Sequence, residues 1–186
     1  DLVGDPSRDV LTMAARSAVV LPARPHGLVP TMSRLGWLIG LQEENFRHLC
    51  RLFVPAGLAE GTYASRIGDG LDLRLDVQAN HRYTQQLRLS YLLLDPQTGL
   101  PDPSAHVRLY HDAGLAEVTH CYLGRRWQDV LGLHPHPRRL IGHRLRMNTF
   151  LGKWIDHLGR QGHGVATLSA APELPPLDDT LPSACP

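Results

Sequence analysis

Between Val107 and Val118 the chain places an arginine, a tyrosine, a histidine and two carboxylates within twelve residues: Arg108, Tyr110, His111, Asp112 and Glu117. A histidine with two acids can hold a divalent metal ion or share general acid and base work. His111, Asp112 and Glu117 are therefore the candidate catalytic residues of a small metal-assisted hydrolase. A structural reading competes with this. Asp112 suits a hairpin turn, where its carboxylate bonds nearby backbone amides, and His111 suits a satisfied place in the core. In an extended strand Arg108, Tyr110 and Asp112 project from one face and His111 from the other. They converge on one ligand only if a turn at 112–114 folds Glu117 back beside them. Short motifs of this kind arise often by chance, so the balance falls on the structural reading.

Arg82 and Tyr83 open a second polar group. With Arg108 and Tyr110 they form the candidate ligand-binding set, suited to an anion through the bidentate guanidinium. An internal salt bridge from Arg82 to Asp112 or Glu117 across a sheet is the competing use, and the favoured one. His134 and His136, held in a His-Pro-His-Pro run, supply half a metal site without neighbouring acids and read as a surface loop. Eight basic residues between Arg125 and Arg160 stand against Asp129 and Asp156. They form a cationic face able to meet nucleic acid or an acidic partner, although few aromatic rings interleave with it for base stacking. No P-loop, Gly-x-Gly-x-x-Gly or Gly-x-Ser-x-Gly motif occurs, so nothing specifies a nucleotide, and no cofactor or bound metal is expected.

The elements that must position these residues follow from the pattern of apolar side chains. At 186 residues, with 42% hydrophobic and 20% charged, the chain fits one domain with tails. No apolar run approaches the ~20 residues of a membrane span. Three cysteines at wide spacing give neither a disulfide framework nor a zinc set, which fits a reducing cytoplasm. The overall charge of +1 is too small to mark a nucleic-acid binder by itself.

Leu35, Leu38, Ile39, Phe46, Leu49 and Phe53 recur at helical spacing after Ser33, a suitable N-cap, and before Pro55-Ala56-Gly57. Gly36 and Gly40 weaken the first turns and move the expected start towards Leu41. Leu71, Leu73, Leu75 and Val77 alternate with Asp72, Arg74, Asp76 and Gln78, which predicts a strand with one buried and one wet face. Tyr83 to Leu93 repeats the alternation and should pair with it as a hairpin. Thr62 to Ile67 reads as a short strand. Val107, Leu109, Ala116 and Val118 flank a second hairpin turn, and 127–133 reads as a last strand. Met147, Leu151, Trp154, Ile155 and Leu158 mark a closing helix over 144–159. The class is α+β: an N-terminal helix, a meandering antiparallel sheet of about five strands, and a C-terminal helix packed on the sheet. Residues 1–31 are expected as a disordered or mistranslated tail, 32–164 as the domain and 165–186 as a Pro-rich disordered tail.

Several blocks together resemble the YqiB-like family of small bacterial proteins. They are Leu41, Glu43, Asn45, Phe46, Leu49 and Pro55; Arg82-Tyr83-Thr84; Val107 to Ala113 with Ala116-Glu117-Val118; and Asn148, Phe150-Leu151 and Trp154. The resemblance covers roughly 32–164 and implies a cytoplasmic setting with no established activity. Two departures stand out. Gln42 occupies a place where the family often has cysteine, and His134-Pro135-His136-Pro137 with Gly142-His143-Arg144 replaces its tyrosine-proline-asparagine turn and acidic stretch. The functional expectation is a non-enzymatic binding or regulatory module that recognises an anionic ligand, protein or nucleic acid. The alternatives are the hydrolase above and a protein-interaction adaptor using a sheet edge or an apolar helix face.

Overall fold

In the computed structural model, residues 33–68, 70–94, 96, 103–121, 135–175 and 177 are described. Ser33 caps α1 (Arg34–Phe53), its hydroxyl accepting from the Gly36 amide at 3.0 Å. The cap satisfies one of the free amides of the first turn, and the helix begins there, about two turns before Leu41. It ends at Val54, a β-branched residue held in the left-handed region at φ 47° and ψ 57°. Pro55 follows and opens a 3-10 turn, Pro55–Gly57.

Five strands then meander: β1 (Gly61–Ser65), β2 (Leu73–Asn80), β3 (Thr84–Tyr91), β4 (Ser104–Tyr110) and β5 (Leu115–Cys121). All pair antiparallel with their neighbours, and β6 (Leu168–Ala170) returns to the free edge of β1, giving the order β5-β4-β3-β2-β1-β6. The sheet thus has six strands where about five were expected. The added strand lies in the stretch read as a tail: residues 165–171 form a 3-10 turn, β6 and the buried Ala171. Three residues are too few to declare a period of two. The strand expected at 127–133 and the tail at 1–31 lie outside the described residues.

The closing helix, α2 (Pro137–Gln161), starts seven residues before the expected Arg144. His136, read as part of a surface loop, is its N-cap, and its ring accepts from the Arg138 amide at 3.3 Å. Pro137 at the first helical position loses no hydrogen bond there. Gly162, at φ 96°, ends the helix.

Both helices cover the sheet face that carries Leu73, Leu75, Val77, Leu87, Leu89, Tyr91, Val107, Leu109 and Val118. Leu49, Phe53, Met147, Leu151, Trp154, Ile155 and Leu158 fill the space between. Each fully buried leucine contributes about 2 kcal/mol. Tyr91 and Trp154 meet edge to face at 5.5 Å between centroids. The helices run in the same direction, since Gly142, Gly152 and Gly159 lie against Arg34, Asn45 and Leu52 in turn. Asn45 Nδ2 donates to the Asn148 carbonyl at 2.9 Å, and Gly152 leaves room for this, because a Cβ there would stand 2.7 Å from Asn45 Oδ1. Asn45, Asn148 and Trp154, among the residues that carry the resemblance, are therefore helix-packing residues. Among the described residues no helix is long and apolar enough to cross a membrane.

Candidate functional site

Alternation along the strands sends their polar residues to the face opposite the helices. The register sets them in rows. Asp76, Arg88, His106 and His120 lie side by side across β2 to β5; Arg74, Ser90 and Ser104 form the row on one side of it. On its other side come Gln86, Arg108 and Glu117, then Thr84, Tyr110 and Leu115. This face departs from the expected wet one. Arg74 is 3% and Arg88 6% exposed, and Ser90 is fully buried. Arg74 is sequestered by both oxygens of Asp76 and by the Pro175 carbonyl, to which its Nη1 donates at 2.7 Å. His106 and His120 meet edge to face at 5.4 Å. Alternation in the sequence marks these positions except His120, which a register shift past Thr119 brings into the row. What it lacks is any sign that they are covered.

The candidate ligand-binding residues gather at one end of this face. His111 N donates to the Tyr83 carbonyl at 2.9 Å, which ties the start of β3 to the end of β4. Arg82 and Tyr83 precede β3 rather than beginning it, and Arg82 Cζ lies 4.9 Å above the Tyr83 ring. Such a stack is worth about 0.5–1 kcal/mol at an exposed site. Arg82 forms no salt bridge with Asp112 or Glu117. Tyr83 is half exposed, while Arg108 and Tyr110 are partly buried.

Arg108 lies opposite Glu117 in the β4–β5 register, yet both oxygens of Glu117 are engaged elsewhere. Oε1 is 2.8 Å from Arg144 Nη1, and Oε2 accepts from the Tyr110 hydroxyl at 3.1 Å. Arg144 comes from α2, where the sequence marks it only as part of a cationic face. The guanidinium of Arg108 makes no hydrogen bond or ion pair with any described residue.

The candidate catalytic residues do not come together. His111 turns to the helix side, its ring edge to face with Phe46 of α1 at 5.9 Å. Asp112 accepts from the Ala113 amide at 2.9 Å, inside a turn closed by Gly114 at φ 64°. Glu117 lies on the other sheet face with Arg144 and Tyr110. Among the described residues no group of three or more His, Cys, Asp or Glu is arranged to hold a metal ion.

Of the cationic segment, Arg125, Arg126 and His134 lie outside the described residues. Arg138, Arg139, Arg146, Lys153 and Arg160 are exposed along α2, with Arg160 paired to Asp156 at 2.7 Å. A cavity of about 250 Å³ lies between the C-terminal halves of the two helices, with Leu52 and Ile155 as its apolar part. None of the candidate catalytic or ligand-binding residues lines it, although Arg160 of the cationic segment does.

No curated protein and no solved structure matches the chain significantly. Residues 48–164 match a family described as a protein of unknown function, DUF1249. That match runs from the last turns of α1 through all of α2, and so takes in the ladder of Arg108, Tyr110 and Glu117: the chain belongs to the DUF1249 family.

Proposed function

We propose that this protein is a non-enzymatic binding module that recognises an anionic group at the corner of the sheet formed by Arg82, Tyr83, Arg108 and Tyr110. The observation that carries this reading is the guanidinium of Arg108, unpaired among the described residues. The one acid facing it is held by Arg144 and Tyr110. A half-buried arginine without a carboxylate sits in a poorly solvated place and gains from an incoming anion that accepts two parallel N–H bonds. Arg82, fixed on the Tyr83 ring, adds a second positive charge beside the same strand ends. The free thiol of Cys50 suits the bacterial cytoplasm in which a YqiB-like protein belongs, and that narrower family name and setting are parts of the same proposal.

The test is a titration of the full chain with inorganic phosphate, followed by amide chemical shifts. The expected result is a saturable change at 82–84 and 108–110 that weakens as sodium chloride rises and disappears in Arg108→Ala. Saturation unaffected by Arg108→Ala, or no change at these amides, would overturn the reading.

A further inference from the structure

Among the ties that hold the chain beyond α2 to the sheet is one buried histidine. His163 follows Gly162 and is 3% exposed. Its Nδ1 is 2.8 Å from the hydroxyl of Ser65 on β1. The Ser65 hydroxyl lies 2.6 Å from that of Thr167, which also bonds the amide and the carbonyl of Gly164, each at 3.0 Å. Past this knot, β6 pairs with β1, the Ala171 amide donates to the Thr62 carbonyl, Arg66 meets Glu173 at 3.2 Å and Arg74 holds the Pro175 carbonyl. The apolar anchorage of the segment rests on Leu168, partly buried against the core, and on the buried Ala171; Ser169 and Ala170 are exposed.

The second ring nitrogen of His163, Nε2, is buried and has no hydrogen-bond partner. A neutral imidazole tolerates this, but protonation adds a positive charge and a second N–H in a buried place. The groups facing the ring are few. Ser65 and Thr167 are uncharged. The Leu71 carbonyl and the Asp72 carboxylate favour the protonated ring, although Asp72 also lies 3.9 Å from Arg66; His157 of α2 opposes it. Burial outweighs them and holds the ring below the usual histidine range.

We propose that residues 163–175 form an acid-released strap, latched on β1 while His163 is neutral and freed when it is protonated, which bares the edge of β1 and the guanidinium of Arg74. The direction follows from linkage. The folded ring binds protons less readily than the free one, so the latch is complete above the ordinary histidine value of about 6.5 and is lost as pH falls below it. The opening constant then climbs towards roughly tenfold per pH unit. A bared β1 edge is a template for an added strand.

The experiment is hydrogen exchange on the full chain at pH 7.5 and 5.5, corrected for intrinsic rates, together with an NMR titration of the His163 ring. The amides of Arg66 and Ala171, which donate to Thr167 and Thr62 across the strap, should lose protection by up to about tenfold. Amides of β3 should change little, and the ring should titrate below about 6.5. His163→Gln keeps a donor towards Ser65 without titrating, and should abolish the difference between the two pH values. Equal protection at both pH values, or the same pH dependence in His163→Gln, would overturn the proposal. Should that variant fail to fold, a wild-type ring titrating at or above the ordinary value overturns it equally.

Discussion

Arg74 grips both carboxylate oxygens of Asp76 through Nε, at 2.9 Å each, from two positions earlier on the same strand. The two side chains are 3% and 13% exposed. Strand geometry brings them together, since residues two apart share a face. Desolvating such a pair is expensive, and the attraction between the charges returns little beyond that cost. Its effect on the fold is therefore asymmetric: losing one partner leaves a stranded charge, whereas losing both leaves none.

Arg74→Met should lower stability in urea unfolding by about 3 kcal/mol, because the Asp76 carboxylate stays behind in a poorly solvated place. The double variant Arg74→Met with Asp76→Leu should recover to within about 1 kcal/mol of the wild type. A double variant no more stable than the single one would contradict this account of the pair.

Two helix glycines should respond to alanine with opposite signs. At Gly152 the new methyl would meet Asn45 Oδ1 at 2.7 Å, and Asn45 is buried and bonded to α2, so it has no room to yield. The overpacking should cost about 1–3 kcal/mol, offset only in part by helix propensity. At Gly40 nothing lies within 4 Å, and alanine should add up to about 1 kcal/mol. Thermal melts of the two variants check the pair, and a stabilising Gly152→Ala would show that the helices can separate.

At the sheet corner, stability and binding should part company. Arg108→Ala removes a side chain that has no partner among the described residues and should change stability by no more than about 0.5 kcal/mol. Tyr110→Phe, which takes a donor from Glu117, should cost about 1 kcal/mol. If Arg108→Ala proves the more damaging in chemical denaturation, Arg108 has a structural partner and is not poised for a ligand.

His143, on the first turns of α2, should titrate below the ordinary histidine value. Burial is the larger cause, and the guanidiniums of Arg146 and Arg144 add to it. With the folded value lowered, the ring's contribution to stability is present above about pH 6.5 and declines as the solution is acidified below that. Arg146→Ala should raise the NMR midpoint of His143 part of the way back, since burial remains. A midpoint unmoved by the substitution would remove the electrostatic cause.

The sequence announces those parts of the fold in which one residue type answers one local requirement. Ser33 marks the start of α1, the strict alternation from Leu71 to Gln78 marks a strand, and Gly114 closes a hairpin. Alternation distinguishes two faces but carries no information on what covers either one. Arg74 and Arg88 therefore read as solvated although both are buried. The start of α2 was legible in principle, because a proline after a capping side chain is an N-terminal signal. Repetition in His-Pro-His-Pro hid it. The strap was hidden for a different reason, since its order comes from Ser65 and Arg74, about a hundred residues away. The candidate site was half legible. Its residues were named, but the diversion of Glu117 to Arg144 needed the third dimension.

The same-way run of α1 and α2 has a consequence for synthesis. Asn45 finds Asn148 at a sequence separation of 103 residues, so the two helices cannot close on each other as a local hairpin. At about 5–20 residues per second, α1 leaves the ribosome roughly 5–20 s before α2 is finished. Throughout that interval Leu49 and Phe53 have only a growing, incomplete sheet to cover them. The nascent chain is thus most exposed to aggregation in the stretch of translation that adds β2 to β5, and a chaperone that binds apolar helices has its opportunity there.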